Sequence, residues 1–145
     1  MCALFLLLSF TILSYYDSTK VYSDTLISNA EKGDVDSQVN LGLMYYEGKK
    51  IEQNYAEALK WFEKAAAQGN PIAQFDLGLM YANGHGVKQD YVEAGKLFEK
   101  AATQGLELAQ YNLAVMYIEG KGVKQDYIEA RKWLEKASAQ GHISS

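Results

Sequence analysis

Hydrophobic and small residues recur along this chain at spacings of three and four, in pairs of segments that predict helices. In the segment from about Ser37 to Glu47, the residues Ser37, Leu41 and Tyr45 lie four apart, which places them on one stripe of a helix. A second helix is predicted roughly over Tyr55 to Gln68. Its apolar face consists of Tyr55, Ala58, Phe62, Ala65 and Ala66.

The pair of helices repeats with a period of 36 residues and without a gap. Residues 71–106 and 107–142 are identical at 20 of 36 positions. The positions shared by all three repeats include Leu41, Leu77 and Leu113; Tyr45, Tyr81 and Tyr117; Gly48, Gly84 and Gly120; and Ala65, Ala101 and Ala137. An isolated helix pair cannot bury its apolar face, so the pairs must stack on one another. The sequence predicts an all-α solenoid with repeats at 34–70, 71–106 and 107–142, and with residues 17–33 as a degenerate half-repeat cap.

Polar and glycine residues mark the ends of the predicted second helices. Asn54, Asp90 and Asp126 are predicted N-caps, and the glutamate three residues after each cap (Glu57, Glu93 and Glu129) is expected to reach back to it. Gly69, Gly105 and Gly141 are expected to end these helices in the left-handed conformation. Lys50 replaces the second turn glycine in the first repeat, which predicts a strained or differently shaped turn there.

The recurring residues resemble the Sel-1-like repeat family, a relative of the tetratricopeptide repeat. The first repeat reads LGLMYYEG followed by NYAEALKWFEKAAAQG, and the third reads LAVMYIEGKGVKQDYIEARKWLEKASAQG. The departures are Ala114 for a helix glycine, Lys50 for a turn glycine and Leu97 for a tryptophan. The resemblance covers residues 34–142 and implies a right-handed α/α superhelix that acts as an adaptor or scaffold, often in bacterial envelopes or at host contacts.

The N-terminal segment differs from the repeats. Ala3 to Leu13 form an apolar run of the length found in secretory signal peptides, too short to span a bilayer comfortably, and no Lys or Arg precedes it. Residues 1–16 are therefore interpreted as a signal peptide or an N-terminal anchor, with a buried N-terminal helix as the alternative. A periplasmic or secreted protein is predicted, or a membrane-anchored one if the segment is retained.

Composition and charge favour a binding protein over an enzyme. The net charge of -4 is mild and no basic tract exceeds Lys49-Lys50, which argues against nucleic-acid binding. Cys2 is the single cysteine, and His85 is expected to be a solvated turn residue. We expect no catalytic residue, no cofactor and no metal. The alternatives are a β-lactamase-like hydrolase, as labelled for some cysteine-rich members of the family, or a membrane-tethered envelope assembly factor.

The predicted function is therefore a non-catalytic adaptor, exported by a bacterium, that binds a peptide or protein on its concave face. If the first helices line that face, as the resemblance implies, helical spacing exposes residues that differ between repeats. The predicted binding set is Val39, Asn40, Tyr46, Glu47, Phe75, Asp76, Asn83, Tyr111, Asn112, Ile118 and Glu119. Packing of Val39, Phe75 and Tyr111 on the next repeat is the open alternative. Trp133 and Leu134 are expected to be partly exposed at the C-terminal end, which predicts weak self-association there.

Overall fold

The computed structural model describes residues 20–140, which form seven helices and no strand. The helices are α1 (20–31), α2 (Val35–Glu47), α3 (Tyr55–Ala67), α4 (Pro71–Asn83), α5 (Tyr91–Thr103), α6 (Glu107–Glu119) and α7 (Tyr127–Ser138). The signal peptide or anchor predicted at 1–16 lies outside the described residues, as do Gly141 and His142. Between residues 20 and 140, every helix is too short or too polar to span a lipid bilayer.

The helices stack in chain order, so each one packs chiefly on its neighbours in the sequence. The three repeat leucines, Leu41, Leu77 and Leu113, are all buried, in agreement with the predicted core stripe. Helix α1 closes the first repeat, because its Leu26 and Ala30 pack with Leu41 in one apolar cluster. The predicted fold class, an all-α solenoid of helix pairs, is confirmed.

Helix starts follow the N-cap side chains. The α2 helix begins at Val35, two residues before the predicted start, because the carboxylate of Asp34 accepts a hydrogen bond of 2.8 Å from the backbone N–H of Ser37. The caps predicted for α3, α5 and α7 are confirmed. The prediction that the glutamate reaches back to the cap residue was wrong, because Glu57 forms an ion pair with Lys60 at 3.2 Å instead. The backbone N–H of Asn54 donates to the carbonyl of Tyr45 at 2.9 Å, so this donor is already satisfied without the glutamate.

The two helices of a repeat approach most closely at a glycine. A Cβ built on Gly42 of α2 would lie 2.7 Å from Cε1 of Phe62 on α3, well inside van der Waals contact. The third repeat has Ala114 at the glycine position and Leu134 at the phenylalanine position, and both belong to one core cluster. The larger residue on one helix is thus matched by a smaller one on the other.

The turn at Lys50 has the same backbone conformation as its glycine counterparts. Lys50 has a φ of 70°, and Gly86 and Gly122 also have a φ of 70°. A strained turn was one of the two predicted outcomes, and it is the one observed, because a residue with a side chain disfavours the left-handed conformation. The other outcome, a differently shaped turn, is not observed. A Cβ on Gly86 would lie 2.8 Å from the carbonyl oxygen of Tyr55 in the preceding repeat, which explains the glycine there. The Lys50 ammonium instead lies 5.0 Å from the centre of the Tyr22 ring.

The exposure predicted for Trp133 was wrong, because this tryptophan is only 6% exposed. Its side chain packs back into the cluster that contains Ala102 and Leu113, rather than forward from the last repeat. The Lys136 ammonium covers the ring at 4.1 Å. Leu134 is half-buried. Burial of Trp133 removes one of the two residues on which the predicted self-association depended.

A ladder of buried glutamines, which the sequence analysis did not identify, crosses the boundaries between helix pairs. Gln38, Gln74 and Gln110 recur at the repeat period and are all buried. The side-chain amide of Gln104 donates to Oε1 of Gln74 at 2.8 Å and to the carbonyl of Gly69 at 3.0 Å. The first bond satisfies the buried Oε1 of Gln74, and the side-chain amide of Gln110 makes a buried bond of 3.1 Å across the repeat boundary to the carbonyl of Ala102.

Candidate binding groove

Three cavities follow one another along the first helices α2, α4 and α6, and we call this surface the first-helix groove. The first, of about 230 Å³, is lined by Tyr22, Asn40, Leu43, Met44, Glu47, Lys49 and Lys50. The second, the Asp76 cavity, has about 180 Å³ and is lined by Leu43, Tyr46, Glu47, Phe62, Asp76 and Leu79. The third, the Asn112 cavity, has about 190 Å³ and is lined by Leu79, Ala82, Tyr91, Phe98, Asn112, Val115, Met116, Glu119 and Lys121.

The cavities lie in register with the repeats. Asn40, Asp76 and Asn112 occupy the same repeat position, and each lines one of them. Leucine or valine side chains from the turn of helix that follows form the apolar walls. Polar groups of fixed position beside apolar walls are typical of sites that bind a ligand segment.

Six of the predicted binding residues line these cavities, and five do not. The six are Asn40, Tyr46, Glu47, Asp76, Asn112 and Glu119. Phe75 packs in the core, with its ring centre 5.6 Å from that of Phe98. Asn83, Tyr111 and Ile118 are exposed but line none of the three cavities.

Val39 is a correction to the predicted set, because it is only 6% exposed and lies in a core cluster. Its repeat counterparts are Phe75, which is half-buried, and Tyr111, which is 53% exposed. Exposure at this position therefore rises along the chain. The side chain of one first helix is covered by the first helix of the next repeat, and no described first helix follows α6. The packing alternative holds for Val39 and Phe75.

The Asp76 cavity carries an unusual carboxylate. Oδ2 of Asp76 is shielded from solvent and has no hydrogen-bond partner among residues 20–140. Burial raises the pKa of Asp76 to about 6, and the negative charge of Glu47 contributes to the rise. Glu47 itself pairs with Lys49 at 3.0 Å on the surface. The cavity is therefore a place where negative charge is poorly compensated by the protein.

An aromatic cluster borders the Asp76 cavity, and it includes His85, which was predicted to be solvated. The ring of His85 stacks on Tyr55 with centres 4.6 Å apart and planes 6° apart. The Tyr46 hydroxyl lies 3.0 Å from Nδ1 of His85. His85 is half-buried as a result, so the prediction of a solvated turn residue was wrong. Burial raises the pKa of Tyr46, with Tyr55 and Asp76 adding to the effect.

The Asn112 cavity repeats this geometry with different chemistry. Asn112 replaces the aspartate, Ala82 replaces the tyrosine of α2, and Lys121 replaces the histidine. Lys121 pairs with Glu119 at 2.9 Å and lies 5.8 Å from the centre of the Tyr91 ring. The two cavities lie at equivalent positions in consecutive repeats but differ in charge.

The tyrosines that begin the second helices were not predicted to belong to the site, yet Tyr91 lines the Asn112 cavity and Tyr55 packs on Tyr46 beside the Asp76 cavity. Tyr55 and Tyr91 each begin a second helix, and each stacks against the turn residue 30 positions later, His85 or Lys121. The common spacing in two repeats was the available signal. Within residues 20–140, no group of three or more His, Cys, Asp or Glu side chains could hold a metal ion.

Comparisons with known proteins agree with the repeat geometry. The family model described as Sel1 repeat matches residues 35–70, 71–106 and 107–142. A Sel1 repeat protein from Oxalobacter formigenes is 44% identical over 82% of this chain and 90% of its own, with a TM-score of 0.75. The cysteine-rich protein B of Helicobacter pylori, 23% identical with a TM-score of 0.68, shares the fold.

Two further relatives are much longer than this chain. The protective antigen c5321 of uropathogenic Escherichia coli, described as having an SLR fold, is 43% identical over 83% of this chain, with a TM-score of 0.81. This chain spans 26% of that antigen. The sel1-like repeat-containing protein L18 of Acanthamoeba polyphaga mimivirus is 46% identical over 41 residues, 28% of this chain and 7% of its own length. The three consecutive repeats place this chain in the Sel1 repeat family.

Proposed function

We propose that this protein is a non-catalytic adaptor that binds a peptide or protein segment in the first-helix groove. Sel1 repeat proteins are generally scaffolds for protein interactions, and the fold is typically non-catalytic. The observation that carries the proposal is the row of three cavities in register, each with a polar residue and apolar walls. An extended segment that runs along the groove would meet one cavity per repeat.

The variation of the groove between repeats supports this proposal. Core positions such as Leu41, Leu77 and Leu113 keep one residue type, whereas the position of Tyr46 carries Ala82 and Ile118 in the other repeats. The different residues at this position give each repeat a different surface to present to a bound segment. A few aromatic anchors surrounded by polar groups can carry most of the affinity of an interface.

The test compares two double variants of the tagged full-length protein. Glu47→Arg with Glu119→Arg alters the groove, while Glu63→Arg with Glu99→Arg makes the same change of charge on α3 and α5. All four glutamates are exposed, so both variants should fold, which helical circular dichroism checks. We expect the proteins crosslinked to the wild type in intact cells to be lost from the groove variant and kept by the control. Equal loss or equal retention in the two variants would remove the groove from the account.

We further propose that the protein is exported. The support is the apolar run from Ala3 to Leu13, which has the length of a signal-peptide core. Measurement of the mass of the N-terminal peptide from cell fractions distinguishes the outcomes. Cleavage near residue 16 in an extracytoplasmic fraction is expected, and an intact N-terminus in the cytoplasm would contradict export.

A further inference from the structure

The Asp76 cavity holds a carboxylate whose charge the described part of the protein leaves largely uncompensated. Oδ2 of Asp76 has no hydrogen-bond partner among residues 20–140, and the charge that acts on the carboxyl is the like charge of Glu47. The nearby Lys49 is engaged by Glu47 at 3.0 Å. A buried carboxylate without a partner is costly, so a cation delivered from outside would relieve it.

The walls of this cavity suit a long apolar stem. Leu43 and Leu79 supply the apolar surface, and Tyr46 adds an aromatic ring. The volume of about 180 Å³ is several times the roughly 30 Å³ that a water molecule occupies in the liquid. A side chain with a methylene stem and a charged end matches such a site, because it buries the stem and brings the charge to the polar residue.

We propose that the Asp76 cavity binds the side chain of a lysine in the bound peptide segment, an assignment that rests on the proposed function of the groove. The ammonium lies between Asp76 and Glu47, and its stem lies along the leucines. Lysine fits better than arginine here. A guanidinium fork needs both carboxylate oxygens, whereas Oδ2 is shielded and leaves one oxygen to face the cavity.

The next repeat supplies an internal comparison. In the Asn112 cavity the aspartate position carries an amide, and the ammonium of Lys121 is already present in the wall. Because Glu119 is paired with Lys121, the lining of that cavity has no uncompensated anion to attract a further cation. The lysine preference is confined to one repeat and sets the register of the bound segment in the groove.

The test is a titration of the isotope-labelled full-length protein, followed by nuclear magnetic resonance. The probes are blocked pentapeptides with glycine at four positions and lysine, norleucine or arginine at the centre. We expect saturable shifts at the amides of Asp76 and Tyr46 with the lysine probe. Norleucine, which has the stem without the charge, should bind about tenfold to a hundredfold more weakly, because a hydrogen bond to a charged group is lost.

Two variants complete the test. Asp76→Asn places the side chain found at Asn40 and Asn112, so it is compatible with the repeat, and it should weaken the lysine probe to the level of norleucine. Asn112→Ala is the matched control and should leave lysine binding unchanged. Equal binding of lysine and norleucine, tighter binding of arginine, no effect of Asp76→Asn, or no shift with any probe would each overturn the assignment. Partner crosslinking to the groove tests the proposed function separately, so either can fail alone.

Discussion

Gly78 on α4 and Phe98 on α5 pack so closely that a Cβ built on the glycine would lie 2.7 Å from Cε1 of the phenylalanine ring. The contact fixes the distance between the two helices of the second repeat. It also explains why the third repeat, which has Ala114 at the glycine position, has Leu134 in place of the phenylalanine. The pair is therefore a constraint on packing that can be tested by exchange.

Gly78→Ala should lower the free energy of unfolding by about 1–3 kcal/mol, because the added methyl overpacks the core against the Phe98 ring. Phe98→Leu in the same chain should recover part of that loss, since it recreates the Ala114–Leu134 pair. Chemical denaturation of the two single variants and the double variant gives the coupling. If the losses in the single variants simply add, the two residues do not constrain each other in this way.

Gly95→Ala should have the opposite effect and raise the free energy of unfolding. Gly95 lies inside α5, and a Cβ there would lie 3.2 Å from Cε of Met116, the mobile end of a flexible side chain. The methionine can move by a few tenths of an ångström, so the gain in helix stability of about 0.5–1 kcal/mol from alanine over glycine should prevail. A rise in the thermal midpoint is expected, and a fall would show that Met116 cannot move.

Gln110→Leu should destabilise the stack of repeats by about 0.5–1.5 kcal/mol, because it removes the buried hydrogen bond of 3.1 Å from its side-chain amide to the carbonyl of Ala102 in the preceding repeat. Gln89→Ala is the control, since Gln89 makes its hydrogen bonds at the exposed surface, where water can replace them. Thermal unfolding measures both. Similar losses of stability in the two variants would mean that burial does not determine how much the glutamine ladder contributes to stability.

Asp76 should make stability depend on pH. The pKa of its carboxyl is raised from 3.8 to about 6 in the folded protein. The folded state therefore holds its proton more tightly than the unfolded state, and stability is lost as the pH rises from about 4 to about 6. The charged group that acts on it is Glu47.

The measurement is the difference in unfolding free energy between Asp76→Asn and the wild type across pH. The variant should be more stable above pH 6, by on the order of 2 kcal/mol, and the difference should disappear near pH 4. Glu99→Gln, at an exposed position on α5, should show no such step. A variant that is less stable than the wild type at pH 7.5 would mean that the folded protein stabilises the Asp76 charge.

The repeat period predicted most of the fold, because every copy of Leu41 or Ala65 must meet the same neighbours. The period did not indicate whether a side chain faces the preceding repeat, the next repeat or solvent. Trp133 was predicted to be exposed because no cap follows it, yet it faces the preceding repeat. Val39 was assigned to the binding surface by helical spacing alone, but the second repeat covers it.

The cavities themselves could be predicted only in part. Asn40, Asp76 and Asn112 were found because helical spacing places them opposite the packed stripe of each first helix. The solvated position predicted for His85 was wrong, because the residues that it contacts, Tyr46 and Tyr55, are 39 and 30 residues away in the sequence. Such contacts depend on the distance between stacked repeats, which no local pattern in the sequence specifies.

Photo-crosslinking from single positions tests the central claim of the groove most directly. A benzophenone amino acid replaces Asn40, Glu47 or Asn112 in the groove, or the exposed Lys60 or Glu99 on the second helices, and the cells are irradiated. The account predicts that the same partner is crosslinked from the three groove positions and from neither position on the second helices. Crosslinks to that partner from Lys60 and Glu99, with none from the groove, would contradict it.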